Sequence, residues 1–124
     1  MGEEVSEALK AEIRRYNSVL ERLRAVSLSK QQLQAQLLEI KEALEELEKA
    51  QEDDKVYKII GRIMISAPKD RVKKELQEKK DTIETRLMTL QKQEALLKKQ
   101  LEDLERRIAR KMGGASGAPS KTAG

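Results

Sequence analysis

One short stretch of this chain departs from an otherwise helical pattern: Val56-Tyr57-Lys58-Ile59-Ile60-Gly61-Arg62-Ile63-Met64-Ile65-Ser66. It is rich in β-branched residues and is split by a single glycine, which is typical of two short strands joined by a tight turn. If Gly61 and Arg62 are the two turn residues, glycine takes the first central position of a type II′ turn. The stretch therefore predicts a β-hairpin in which Ile60 faces Ile63 and Ile59 faces Met64.

The predicted hairpin has two largely apolar faces, because side chains alternate along each strand. One face carries Val56, Lys58, Ile60, Ile63 and Ile65, and the other carries Tyr57, Ile59, Met64 and Ser66. A lone two-stranded ribbon is marginally stable in water and has unpaired edges. The chain's own helices are able to cover one face but hardly both. We therefore predict an oligomerisation surface formed by Val56, Tyr57, Ile59, Ile60, Gly61, Ile63, Met64 and Ile65.

The composition around the hairpin favours long helices. Of 124 residues 39% are charged, none is Phe or Trp, and two are Tyr. A coiled coil needs apolar residues only along a narrow seam, so it tolerates such a composition. Cysteine and histidine are absent, which removes disulfides, thiolate metal sites and the usual bases of nucleophilic catalysis. The sequence predicts no enzyme, no cofactor and no metal.

Charge is unevenly distributed along the chain. Residues 1–54 carry 8 Lys or Arg and 13 Asp or Glu, a net of −5, whereas residues 55–124 carry 18 and 9, a net of +9. Opposite charge favours two arms that lie side by side. Basic residues are interleaved with Glu and aromatic residues are scarce, so nucleic-acid binding is poorly supported. The acidic start and the lack of a long apolar run predict a cytoplasmic protein.

The first helix is predicted over residues 3–52. Its apolar residues follow steps of three and four, which is a heptad pattern. The members of this seam are Leu9, Ile13, Tyr16, Leu20, Leu23, Leu33, Leu37, Ile40, Leu44 and Leu47. Ten residues separate Leu23 from Leu33, three more than one heptad, with Val26 and Lys30 as the intermediate steps. This offset predicts a stammer that overwinds the supercoil there.

The second helix is predicted over residues 68–112, with Pro68 as its first residue and Ser66 or Ala67 as its cap. One core position recurs every seven residues at Leu76, Ile83, Leu90, Leu97 and Leu104, and the other holds Leu87, Leu101 and Ile108. Lys80 and Glu94 interrupt the second position, and charged core residues commonly fix register or partner choice. Residues 113–124 are predicted to form a disordered tail.

Two arms of similar length predict an antiparallel pair whose free ends meet at a tip. The apolar residues expected there are Val5, Leu9, Ile13, Leu104, Ile108 and Met112. They either complete the seam or bind other proteins, since coiled-coil ends fray and adaptable Met and Leu surfaces accept many clients. A basic cluster consists of Arg106, Arg107, Arg110 and Lys111. It either complements the negative end of the helix or docks an acidic partner.

Four short motifs together resemble the β-type subunits of archaeal prefoldins. They are Ala43-Leu44-Glu45-Glu46-Leu47 at the end of the first arm, Val56-Tyr57-Lys58-Ile59-Ile60-Gly61, Ile63-Met64-Ile65, and Pro68-Lys69-Asp70. The resemblance covers roughly residues 5–112. The single hairpin points to the β type, because the α type has two.

This resemblance implies a mainly α fold: a long antiparallel two-helix coiled coil joined by one β-hairpin that assembles into intersubunit β-barrels. It implies a hexamer of two α and four β subunits whose tips hold unfolded proteins without ATP and pass them to a group II chaperonin. The tip residues would contact the client, and the basic cluster would contact the chaperonin. Two other functions are open from the residues alone: a structural coiled-coil adaptor that docks one defined protein partner, and an RNA-binding helical arm.

Overall fold

The computed structural model describes residues 6–113 and confirms two long helices with one β-hairpin between them. The elements in chain order are α1 (Glu7–Lys49), β1 (Val56–Ile60), β2 (Ile63–Ala67) and α2 (Lys69–Gly113). Val5 and the predicted tail beyond residue 113 lie outside the described residues. Neither described helix is apolar enough over a sufficient length to cross a membrane.

A serine cap sets the start of α1. The Leu9 N–H donates a hydrogen bond to Ser6 Oγ at 3.1 Å, and the Lys10 N–H donates to the Ser6 carbonyl at 3.0 Å. A side-chain oxygen at this position satisfies one of the N–H groups that the first helical turn leaves unpaired. The first helix therefore begins at Glu7, four residues later than the periodicity alone indicates.

The start of α2 is set by the strand before it. The Val72 N–H donates to the Pro68 carbonyl at 3.1 Å, which makes Pro68 the cap and Lys69 the first helical residue. Ala67 is paired with Val56 in the hairpin and precedes a proline, and both conditions hold a residue in extended conformation. The cap therefore falls one residue beyond Ala67, the later of the two predicted positions.

The hairpin has the predicted register. Ile60 pairs with Ile63 and Ile59 with Met64 in an antiparallel ladder. Gly61 has a φ of +60°, and among residues 6–113 no non-glycine residue has a positive φ. A type I′ turn needs positive φ at both central residues, whereas a type II′ turn needs it only at the first. The turn therefore matches type II′, with Gly61 at the position that requires glycine.

The helices pack within two compact units: the terminal unit, described over residues 6–28 and 91–113, and the hairpin unit, residues 29–90. The core of the terminal unit is formed by Val19, Leu97, Leu101 and Leu104, with Tyr16, Leu20, Leu23 and Val26 packed against it. The core of the hairpin unit is formed by Ile40, Ile83 and Leu87, with Leu33, Leu37, Leu44 and Leu76 packed against it. In each unit a segment of α1 packs against a segment of α2.

The α1 seam differs from the predicted one. Buried or half-buried residues recur in steps of three and four without interruption at Leu9, Glu12, Tyr16, Val19, Leu23, Val26, Lys30, Leu33, Leu37, Ile40, Leu44 and Leu47. Beside this row, Ala11, Leu20, Ser27 and Ala43 are also half-buried. Val19 is buried at 7% exposure, whereas Ile13 is 38% exposed. The predicted stammer is therefore wrong. The wrong prediction arose because Ile13 and Leu20 were assigned to the seam in place of their neighbours Glu12 and Val19.

The α2 seam is as predicted. Leu97 and Leu104 of the first core position are buried, and so are Leu87 and Leu101 of the second. Glu94, which interrupts the second position, is itself buried at 9% exposure. The charged interruption is therefore part of the packed seam.

Candidate functional site

Both faces of the hairpin are exposed. On one face Ile59 is 72% and Met64 64% exposed; on the other, Ile60 is 54% and Ile63 62% exposed. Only Val56, Lys58 and Ala67 of the two strands are half-buried. Contiguous exposed apolar side chains of this kind mark an interaction surface. The possibility that the chain's own helices cover the hairpin is therefore excluded for most of its residues.

Polar contacts within the hairpin unit join β1 to α2 and join the start of α2 to the residue that follows α1. Lys58 Nζ donates to Glu75 Oε1 at 2.7 Å, and Lys69 Nζ donates to the Ala50 carbonyl at 2.9 Å. The hydrogen bond from Lys58 holds the pKa of the Glu75 carboxyl below its usual value, against the opposing effect of desolvation. These contacts orient the strands and leave their apolar side chains uncovered.

Lys73 and Glu48 form a second ion pair between α2 and α1 in the same unit. The hydrogen bond between them lowers the pKa of Glu48 and raises that of Lys73. Both ends of the pair are exposed to solvent to a substantial degree, which limits its contribution to stability. Its geometric effect is to hold the last turns of α1 beside the first turns of α2.

An open groove of about 620 Å³ runs between β1 and the adjoining helices. Apolar side chains, among them Leu47, Val56, Ile59 and Leu76, form much of its lining. The groove is continuous with the exposed apolar surface of the hairpin, because Val56 and Ile59 belong to β1. The surface available to a neighbouring chain therefore extends from the strands onto the helices.

The tip consists of residues 6–13 and 104–113. The apolar residues predicted there differ in how far they are exposed to solvent. Leu9 is 7% and Leu104 3% exposed, so both belong to the seam. Ile108 is half-buried. Ile13 is 38% and Met112 68% exposed. Only this last pair, among the described members of the predicted set, presents substantial apolar surface to solvent.

Two members of the predicted basic cluster are paired across the helices. Arg107 Nη1 lies 3.8 Å and Lys111 Nζ 3.3 Å from the carboxylate of Glu12. Arg106 pairs with Asp103 of its own helix at 2.7 Å. Arg110 has no ion pair with any of the residues that the structure describes. The cluster is thus partly neutralised by a carboxylate that the sequence analysis did not single out.

Glu12 was missed because it occupies a seam position. Its side chain is 12% exposed, and Oε1 is buried without a hydrogen-bond partner among residues 6–113. Arg15 of the same helix lies 3.6 Å from it. The signal in the sequence was the spacing Leu9, Glu12, Tyr16 in steps of three and four.

Two further polar contacts in the terminal unit fix the register of the helices. Ser27 Oγ donates to Glu94 Oε2 at 2.8 Å, and Tyr16 OH donates to Glu105 Oε2 at 3.2 Å. Burial and the negative charge of Glu105 raise the pKa of Tyr16. Both contacts join α1 to α2, and their residue numbers run in opposite directions, as an antiparallel pair requires. A buried polar side chain that loses its partner is costly, so such contacts disfavour other registers.

Comparison with known proteins gives a consistent result over almost the whole chain. The family model described as "Prefoldin subunit" matches residues 7–115. The prefoldin subunit beta of Pyrobaculum islandicum is 39% identical over 106 residues, covering 86% of this chain and 85% of that protein. The prefoldin subunit beta of Caldivirga maquilingensis is 32% identical over 117 residues, covering 94% of this chain and 97% of that protein.

A solved structure agrees with these relatives. The crystal structure of the prefoldin beta subunit from Thermococcus strain KS-1 matches with a TM-score of 0.79 and 33% sequence identity, covering 94% of this chain and 98% of that one. The similarity thus includes both helices and the hairpin. The chain therefore belongs to the prefoldin subunit family, and the relatives that it resembles are archaeal beta subunits.

Proposed function

We propose that this chain is the β-type subunit of a chaperone that holds non-native proteins at its helix tips without using ATP. Membership of the prefoldin family supports a role as a chaperone subunit in a hetero-oligomeric complex. The finer steps are capture of a client, assembly with an α-type subunit, and transfer of the client to a group II chaperonin. Each of these steps is assigned to a surface of the chain.

Assembly is assigned to the hairpin. Ile59, Met64 and Ile63 expose well over half of their surface. Within residues 6–113 each strand also has a free edge, because the described sheet contains only these two strands. Pairing with strands of other subunits supplies backbone hydrogen bonds to the edges and removes the apolar side chains from water. A closed β-barrel built from several hairpins satisfies both requirements at once. We propose a hexamer of two α and four β subunits joined in this way.

Client binding is assigned to the tip, and the observation that carries it is the exposure of Ile13 and Met112. Met112 is 68% exposed on the last turn of α2, where a helix end is easily frayed. Methionine is flexible and polarizable, so it adapts to apolar segments of different shape. Because apolar burial is non-directional, such a surface holds unfolded chains without reading their sequence. Fraying would add Ile108 and Leu9 to the same surface.

Transfer is assigned to the basic cluster. Four cations within six residues create a positive field that attracts an acidic surface and speeds encounter. Arg110 extends this field with a side chain that has no ion pair within the described part of the chain. We propose that an acidic region of the chaperonin meets the cluster while the client is held at the same tip.

Met112→Ser, combined with Ile13→Ser, tests the client-binding surface, with Met88→Ser as the control. Met88 is 60% exposed on the same helix but lies in the hairpin unit. The variants are assembled with an α-type subunit, and suppression of aggregation is measured for two unrelated unfolded proteins. The tip variant is expected to lose most of the suppression for both clients, because it removes apolar surface that the clients would bury.

The control is expected to suppress aggregation as the unaltered chain does. Equal loss in the control and the tip variant would show that tip position is irrelevant. Failure of the unaltered complex to protect either client would instead favour an adaptor that docks one defined partner. Far-UV circular dichroism checks that both variants retain the two helices.

A further inference from the structure

Glu12 is an unusual member of the tip. It occupies a seam position between Leu9 and Tyr16, where the facing helix covers all but 12% of its side chain. Three cations surround it: Arg15 at 3.6 Å, Arg107 at 3.8 Å and Lys111 at 3.3 Å. Two of these cations come from the basic cluster on α2. A single carboxylate thus connects the cluster to the packing of the tip.

This arrangement is held loosely. The Glu12 contacts are longer than the roughly 2.7 to 2.9 Å that is typical of a strong charge-assisted hydrogen bond, and Oε1 has no hydrogen-bond partner in the described chain. For a partly desolvated carboxylate with incomplete hydrogen bonding, the desolvation cost cancels much of the favourable Coulomb energy. The pairing is therefore weak enough for another carboxylate to replace it.

The cations are reachable from outside. The side chains of Arg107 and Lys111 are 49% and 39% exposed. Arg110, between them in sequence, is exposed and has no ion pair with any residue from 6 to 113. An acidic peptide lying along this face would first form an ion pair with Arg110. It would then compete with Glu12 for Arg107 and Lys111.

We propose that Glu12 is an internal counter-ion that an acidic segment of a partner protein displaces from Arg107 and Lys111, and that this displacement loosens the tip. Once Arg107 and Lys111 are engaged elsewhere, Glu12 keeps only Arg15 of its own helix. A carboxylate that is incompletely paired in the seam is costly, which favours separation of the outermost turns. Leu9 and Ile108, close to Glu12 and to its partners in sequence, then become accessible. This inference rests on the proposed function, because it makes docking of the acidic partner alter the surface that holds the client.

Such coupling is reciprocal. If docking of the acidic segment favours the loosened tip, then any ligand that favours the loosened tip strengthens docking by the same factor. A client bound to the opened seam would therefore increase the affinity for the acidic partner. Complexes that hold a client would therefore bind the acidic partner more tightly than empty complexes do.

Glu12→Gln tests the displacement, with Glu21→Gln as the matched control. Both substitutions remove one negative charge from α1, but Glu21 is exposed and pairs only with Arg24 among the contacts described, at 3.7 Å. The probe is a fluorescent poly-glutamate peptide, titrated by anisotropy into the full-length chain at low salt. Glu12→Gln is expected to lower the Kd about two- to fivefold, because its ion pairs with the half-exposed Arg107 and Lys111 are individually weak.

Glu21→Gln is expected to bind the peptide almost as the unaltered chain does. Equal effects of the two substitutions would mean that only net charge matters and would overturn the proposal. Absence of any peptide binding to the unaltered chain would overturn it as well. Neither outcome bears on client holding, which the aggregation assay measures without peptide.

Hydrogen exchange tests the loosening. Addition of the peptide to the unaltered chain is expected to speed exchange of backbone amides at residues 9–13 and 105–111. Glu12→Leu places an apolar residue in the seam, so peptide binding leaves no unpaired charge there. This variant is expected to bind the peptide as tightly as Glu12→Gln, but the peptide is not expected to speed its amide exchange. Unchanged exchange in the unaltered chain at saturating peptide would contradict the loosening.

Discussion

Gly61 determines how sharply the chain reverses between its two strands. Its φ of +60° lies in the left-handed region that glycine adopts without a steric penalty. A Cβ built at this position meets no atom within 4 Å. The demand for glycine therefore comes from the backbone conformation and not from lack of space.

Gly61→Ala is expected to destabilise the hairpin by about 1 to 2 kcal/mol, the cost of a left-handed conformation for an L-residue with a Cβ. Arg62→Ala is the control, because its φ is not positive. Urea unfolding of the assembled complex measures the difference. A loss in the control as large as that in Gly61→Ala would mean that the turn conformation is not the cause.

The residue scale is also where prediction from sequence succeeded and failed most clearly. Gly61 and the strand pairing were predictable because a two-residue turn leaves few alternatives. Glu12 and Val19 were not, because the charged residue stands where an apolar one is expected and Ile13 and Leu20 stand beside them. The side chains of adjacent residues on a helix point about 100° apart. Assigning a residue's neighbour to the seam therefore places the predicted seam on a different side of the helix.

At the scale of elements, an ion pair joins β1 to α2. Lys58 donates to Glu75, and Arg71 lies 3.6 Å from the same carboxylate. Because the pKa of Glu75 is lowered from 4.5 in the folded chain, its contribution to stability is complete above the unfolded value. That contribution is lost as the pH falls through the lower, folded pKa.

Glu75→Gln is expected to reduce the sensitivity of the hairpin unit to acid. The free energy of unfolding, measured by urea titration at neutral pH and at about pH 3, should fall less for this variant than for the unaltered chain. Glu78→Gln on the same helix is the control and should retain the full decrease, because no ion pair of Glu78 is present in the described chain. Parallel losses in all three proteins would exclude Glu75 as the source.

At the scale of the whole molecule, the helices and the hairpin differ in how far their apolar residues are covered. Its charged, narrow-seamed helices bury their apolar residues against each other, whereas its only sheet among residues 6–113 exposes both faces. Exposed apolar surface of this kind is typical of an interaction site. The proposed assembly through the hairpin would cover both of these faces.

Ile59→Lys is expected to prevent assembly with an α-type subunit while the helices still form. Ile59 is 72% exposed, so a lysine there costs the free chain little, but in an interface it would place an unpaired charge among apolar side chains. Leu38→Lys is the control, since Leu38 is 59% exposed on α1. Size-exclusion chromatography with light scattering compares the two, and a full-size complex containing Ile59→Lys would contradict the proposed role of the hairpin.

The sequence by itself determined the order of the elements, the register of the hairpin and the seam of α2, because each depends on local periodicity or on one turn residue. Only the tertiary structure decided that Glu12 and not Ile13 enters the seam of α1, and that Val19 is buried there while its neighbour Leu20 is half-buried. The facing helix makes that choice, since it covers the side chains that point toward it whatever their polarity. For the same reason, only the structure separated the buried residues of the tip from the exposed ones.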